Sequence, residues 1–203
     1  MRRRVPVLGQ LAHPRGMLAP ATGFMLNIVN RPINRWTVGS LQLTGSEHIL
    51  EVGFGGGVGL ELVRDRLTSG RLFGVDISEE MAQRAERRFA VDPGGASVRV
   101  LVGDVSALPF ADGSFDRAYS VNAVFFWPDP AAGLAEIHRV LRPGGLAAIA
   151  GPAAAFMLAR IAGLGPAAPS GPSEVRRMAE TAGFRDVRIR RAAGASLIRG
   201  RRP

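Results

Sequence analysis

The segment ILEVGFGGGVG, residues 49–59, sets five glycines within seven positions behind an apolar run that carries Glu51. Such a loop lets a backbone come close to a ligand, since side chains there would obstruct the approach or demand angles that only glycine tolerates. A dinucleotide pyrophosphate calls for G-x-G-x-x-G, whose third glycine allows close packing of helix on strand. Counted from Gly53 that third position is Val58, and from Gly55 it is Leu60, so the dinucleotide spacing fails in both registers. The spacing that fits is E-x-G-x-G-x-G, on Glu51, Gly53, Gly55 and Gly57. Two more acids, Asp76 and Asp104, close the apolar runs RLFGVD and SVRVLVGD. Three histidines are available for proton transfer: His48 just before the first apolar run, His138 in an amphipathic stretch that reads as structural, and His13 in LAHPRG, a tail segment. With no cysteine there is no disulfide framework, thiolate metal site or Cys nucleophile.

The elements that must position these residues follow from periodicity. Residues 1–16 read as a loose tail. Residues 17–44 carry apolar positions at helical spacing, broken at Pro20 and Pro32, which predicts two or three short helices. From His48 the pattern alternates: HILEV strand, VGLELVRDRL helix, RLFGVD strand, SEEMAQRAERRFA helix with Ser78 as N-cap, SVRVLVGD and FDRAYSV strands, and PAAGLAEIHRVL helix stopped by Pro143, Gly144 and Gly145. LAAIAG, a helix over SEVRRMAETAGF, and the strands RDVRIRR and ASLIRG complete the chain. This alternation predicts an α/β doubly wound sheet. The division expected is a tail and helical cover over residues 1–44, then one domain over 45–203.

Composition bounds the class. A chain of 203 residues, 46% hydrophobic and 21% charged, has the balance of a single globular domain. No apolar run is long enough to span a bilayer, and no uninterrupted apolar segment follows the basic start, which argues against a signal peptide; a cytoplasmic protein, monomer or homodimer, is expected. The net charge of +9 comes from 26 basic residues, all arginine, as a GC-rich coding sequence produces. Without aromatic residues interleaved among them, specific nucleic-acid recognition is not expected, although bulk attraction to anions is.

LEVGFGGGVG resembles motif I of the class I S-adenosylmethionine (SAM)-dependent methyltransferases. GVDIS resembles their motif II, GDVSALPFADGSFD their third-to-fourth-strand segment, and FFWPDPAAGLAEIHRVLRPGG the helix and turn that follow in the small-molecule branch, which includes the ubiquinone/menaquinone-type enzymes. Four motifs in order, from about Ile49 to Gly145, make the resemblance specific. It implies a Rossmann-like seven-stranded sheet whose last strand is antiparallel, with an N-terminal helical lid. It also implies SAM as cofactor and S-adenosylhomocysteine as its product. Gly53, Gly55 and Gly57 would admit the methionine part, with Glu51 orienting that end. Asp76 would accept the ribose hydroxyls; its rival role is a helix-start acid, which Ser78 already supplies. Asp104 and the Val105 N–H would meet the adenine edge, a turn role being the rival for Asp104. Ile77 and Leu108 would sandwich the ring, and Ser120 and Val121 would lie near the methionine amine.

The acceptor is harder to read. Methyl transfer from a sulfonium rests largely on in-line positioning, with a base needed only where the acceptor must lose a proton. The family often has histidines where this chain has Phe125 and Phe126, which leaves an apolar wall in place of a candidate base. Asn122 and His13 are the candidate catalytic residues; each has a plain structural alternative, a strand-end amide and a tail histidine. The apolar, Met-rich stretches TGFMLNIVN and AAAFMLARIAGLG predict a hydrophobic acceptor pocket that includes Phe24, Met25, Asn122, Phe125 and Phe126. The expected function is methyl transfer to a small, largely apolar metabolite at O, C or N, with no metal. The other reading is a non-catalytic SAM- or nucleotide-binding accessory protein, and an NAD(P) oxidoreductase ranks third.

Overall fold

A computed structural model describes residues 19–90, 96–152 and 168–203, with side chains described from Asn30 onward. Helix α1 spans Ala19–Ser40 and precedes strand β1, His48–Val52. Then come α2 (Val58–Arg64), β2 (Arg71–Asp76), α3 (Glu79–Ala90), β3 (Val98–Val102), β4 (Phe115–Val121), α4 (Pro130–Val140), β5 (Leu141–Pro152), α5 (Pro172–Thr181), β6 (Arg185–Ala192) and β7 (Ala195–Arg201). The seven strands form one sheet in the order β3-β2-β1-β4-β5-β7-β6. Every pair is parallel except those made by β7, which runs antiparallel to both β5 and β6. The doubly wound sheet with an antiparallel last strand is therefore the architecture found.

Helices cover both faces, which is why the central strands are apolar almost throughout. On one face α4 and α5 bring Leu134, Ile137, Val140 and Val175 against Leu50, Phe115 and Ile149. On the other, α1, α2 and α3 bring Val38, Leu41, Leu60, Val63 and Met81 against Ile49, Leu72 and Tyr119. The chain order reverses between β1 and β4, and ligands of doubly wound sheets bind at the carboxyl ends of the strands at such a point.

Two local readings need correction. The first concerns α1, a single helix rather than several, passing through Pro32. Proline in a helix interior withholds an N–H and crowds the preceding turn. Here Asn34 Nδ2 donates to the Asn30 carbonyl at 3.0 Å and Thr37 Oγ1 to the Ile33 carbonyl at 2.8 Å, while Asn34, Thr37 and Val38 are buried against the sheet. Tertiary packing overrides the breaker. The second concerns β5, which starts at Leu141, ahead of Pro143, Gly144 and Gly145. Leu141 pairs with Phe115, and the register shifts before Arg117 pairs with Leu146, so the Pro-Gly-Gly run is absorbed as an irregularity. Gly144 takes the left-handed φ of 78° that this turn requires.

Helix α4 anchors the segment after β3. Asp129 caps its start by accepting from the N–H groups of Ala131 and Ala132, with Pro130 following. Arg202 closes its end, donating to the carbonyls of His138 and Arg139. From its flank Arg139 donates to the carbonyls of Phe110 and Leu108 at 2.8 and 3.1 Å, and Glu136 accepts from the Leu108 N–H at 2.8 Å. These bonds fix the turn that presents Asp104 and Val105.

Candidate functional site

At the carboxyl ends of β1, β2 and β4 lies a cavity of about 300 Å³. Its floor is the glycine loop. Gly53 leaves β1 with φ 72° and its N–H donates to the Val75 carbonyl at 2.7 Å; a Cβ there would stand 2.4 Å from the Ala123 Cβ. Gly55 has φ 49°, yet a Cβ on it would meet nothing within 4 Å. It therefore faces open space, and its glycine serves backbone angle and ligand approach rather than packing. Gly57 lies outside the cavity, as the left-handed N-cap of α2.

Asp76 ends β2 and is 9% exposed. Its Oδ2 accepts from the Gly55 N–H at 2.8 Å and its Oδ1 from the Ser78 N–H at 2.9 Å. The carboxylate thus ties the glycine loop to the start of α3, where Ser78 Oγ accepts from the Met81 N–H at 3.3 Å. Asp104, just past the end of the neighbouring strand β3, also lines the cavity and accepts from the Ser106 N–H at 2.8 Å, capping a short 3₁₀ turn. Val105 lines it as well, and Ile77 stands half-exposed at the rim.

Glu51 contributes a buried carboxyl, 2% exposed, that reaches the cavity. Tyr119 donates its hydroxyl to Glu51 Oε2 at 2.7 Å. A Cβ on Gly59 would stand 2.2 Å from Glu51 Oε1, so the helix glycine is what makes room for the acid. Burial pushes the Glu51 pKa up to about 8; the Tyr119 hydrogen bond opposes that rise, and the charge on Asp76 adds to it.

Asn122 follows β4 with the uncommon φ of 60°. Its N–H donates to the Ala150 carbonyl at 2.8 Å and its Nδ2 to Asn30 Oδ1 at 2.7 Å, while its Oδ1 is buried and makes no hydrogen bond. The remaining wall is apolar: Phe125, Phe126, Trp127, Pro128 and Pro152.

Of the residues singled out from sequence, Glu51, Gly53, Gly55, Asp76, Ile77, Asp104, Val105, Val121, Asn122, Phe125 and Phe126 come together around this cavity. Leu108 and Ser120 do not line it. Leu108 is turned into the core by the Glu136 and Arg139 bonds, and Ser120 is fully buried within β4 with its Oγ unpaired. His13 and the side chains of Phe24 and Met25 lie outside the described residues. Lining residues not singled out include Asn30 and Asn34 from α1, Phe54, Trp127, Pro128 and Pro152. Among the described residues no three His, Cys, Asp or Glu side chains gather as a metal site, and no helix is long and apolar enough to cross a membrane.

The sheet order and the strand-end cavity with its glycine floor are those of a doubly wound α/β protein with a ligand-sized cavity at its switch point. The methyltransferase domain family matches residues 50–149. The chain is 38% identical over 127 residues to the uncharacterized methyltransferase YdaC of Bacillus subtilis, covering 63% of this chain and 68% of that protein. It is 32% identical over 137 residues to the ubiquinone/menaquinone biosynthesis C-methyltransferase UbiE of Geotalea uraniireducens, covering 65% of this chain and 58% of the relative. In fold it superposes, with a TM-score of 0.76 at 24% identity, on the Haloferax volcanii protein solved in complex with the methyltransferase activator Trm112, over 92% of this chain and 96% of that one. The chain belongs to the class I SAM-dependent methyltransferase family and is an enzyme of that class.

Proposed function

We propose that the chain transfers a methyl group from SAM to a small, largely apolar metabolite, with donor and acceptor meeting in the cavity above the glycine loop. The observation that carries this reading is the cavity's division. One side holds the glycine floor and the strand-end acids Asp76 and Asp104, and the other is walled by Phe125, Phe126, Trp127, Pro128 and Pro152. The residues present fit the donor, since the open space over Gly55 leaves the backbone bare where the methionine part would lie.

When bound, SAM supplies an electrophilic methyl on a cationic sulfur. The chain's task is to hold, orient and exclude water. In this reading Asp76 accepts the ribose hydroxyls while keeping its bonds to the loop. Asp104 and the Val105 N–H meet the adenine edge, with Ile77 over the ring. Glu51 and Val121 face the methionine end. Asn122, whose buried Oδ1 has no partner, offers an acceptor for a donor group on either molecule. The apolar wall excludes water and favours an acceptor of matching polarity. Among the described residues, none of these wall side chains is a base. Asn30 and Asn34 put α1 at the mouth, which suits a role for this helix as part of a cover.

The test is transfer of tritiated methyl from SAM to a panel of phenols, hydroquinones, amines, protein and RNA. Label extracted into organic solvent with an apolar acceptor supports the reading. Label found only in protein or RNA contradicts it.

A further inference from the structure

The charge of this chain is segregated along the sequence. Residues 1–46 contain six arginines and no acid, and residues 187–203 contain another six and no acid; all 17 acids lie between. The end of α1, within the first segment, meets arginines of the sheet. Arg117 Nε donates to the Leu41 carbonyl at 2.8 Å, at the end of α1, and Arg201 Nη2 reaches Gln42 Oε1 at 3.4 Å.

The β6–β7 hairpin then lays its arginines on one face. Arg188 pairs directly with Arg199. Arg190 and Arg201 lie two residues further along their strands and so share that face. Leu146 pairs with both Arg117 and Arg201, which extends the row toward α1. Arg188, Arg190 and Arg201 are exposed. Like charges directly opposite each other across a strand pair are destabilising. Neighbouring arginines, after burial itself, hold the Arg199 pKa below its ordinary value.

No acid answers this face. Among the described residues Arg188, Arg190 and Arg199 make no ion pair, and Asp186, the single acid of the hairpin, makes none either. The undescribed residues hold one acid, Asp92. Among the described residues this face therefore carries positive charge that no acid of the chain neutralises.

We propose that the face carrying Arg188, Arg190, Arg199 and Arg201 is a docking surface for the anionic headgroups of a lipid bilayer. It lies on the two outermost strands at one edge of the seven-stranded sheet. Residues 185–203 include no aromatic on which a base would stack, as single-stranded nucleic acid requires. The hairpin also reaches the cavity rim: Pro152 lines the cavity and pairs with Ala195, which pairs with Ala192, two residues from Arg190. A bilayer held there stands beside the apolar wall, where a membrane-dissolved acceptor would enter. The choice of bilayer over nucleic acid rests on the apolar-acceptor reading above.

The experiment is flotation of the full chain with vesicles of phosphatidylcholine alone or mixed with phosphatidylglycerol. The chain should float only with the anionic vesicles and be released as salt rises. Each basic residue near an anionic surface accounts for about a fivefold change in binding, so Arg188→Gln with Arg199→Gln should weaken flotation by on the order of tenfold or more. The same double variant should keep its affinity for S-adenosylhomocysteine, and its thermal midpoint should be unchanged or higher because a like-charge pair has gone. Equal flotation with both vesicle types, or a double variant that floats like the wild type, overturns the proposal. Tighter salt-sensitive capture of an oligonucleotide than of anionic vesicles also overturns it, in favour of nucleic acid. Failure of the wild type to bind S-adenosylhomocysteine would instead strike the proposed function, and it is read in a separate titration.

Discussion

Replacing Glu51 by Gln should change how stability depends on pH. In the folded protein the carboxyl is buried, bonded to Tyr119 from β4, faced by the charge of Asp76 from β2 and packed under Gly59 of α2. Its pKa rises from an ordinary 4.5 to about 8. Between those values the folded state keeps a proton that the unfolded chain has released. Stability therefore falls as pH rises through the window and levels off above it. One pH unit corresponds to about 1.4 kcal/mol, so the full window amounts to about 5 kcal/mol. Glutamine keeps the shape and the acceptor for Tyr119 but binds no proton. Urea unfolding of both proteins from pH 5 to pH 9, without ligand, gives the comparison. Subtracting the variant's curve from that of the wild type removes every other titrating group. The difference should descend by several kcal/mol up to about pH 8. Parallel curves for the two proteins would refute the buried, neutral Glu51.

Further expectations concern the same cavity. Asp76→Asn should weaken SAM binding by on the order of 1.5–3 kcal/mol, the worth of a hydrogen bond to a charged group, read by calorimetry on a variant whose fold is checked by circular dichroism. Gly59→Ala would ordinarily gain about 1 kcal/mol in a helix. Here the new Cβ meets Glu51 Oε1, so the variant should lose about 1–3 kcal/mol, and Glu51→Ala in the same chain should relieve part of that loss. Hydrogen exchange in residues 19–30 should slow when S-adenosylhomocysteine is added, while Val38 and Leu41, already in the core, should not change.

Much of this arrangement was legible because it is local. β4 runs over FDRAYSV as expected, and the carboxylate of Asp76 stands where the apolar run of β2 ends. The glycine spacing that departs from the dinucleotide pattern is likewise local to residues 51–59. What escaped depends on contacts distant in sequence. Nothing near Leu108 announces that Glu136 and Arg139, about thirty residues on, turn it into the core. Asn30 and Asn34 reach the cavity only because α1 runs through Pro32 and packs on β4 and β5. The role of Gly59 is likewise invisible in the motif, being set by the position of the Glu51 carboxyl beneath it. The arginines of β6 and β7 are set side by side only by the strand register, which their sequence does not announce.

Calorimetric titration of the wild type and of Gly55→Val with S-adenosylhomocysteine addresses the methyl-donor site itself. A valine there places a β-branched side chain in the open space over the loop and on a left-handed backbone that such residues rarely adopt. The wild type should bind one equivalent per chain, and the variant, folded by circular dichroism, should give no binding heat. A folded Gly55→Val protein that binds like the wild type, or a wild type that binds NADPH and not S-adenosylhomocysteine, would contradict the assignment of this cavity.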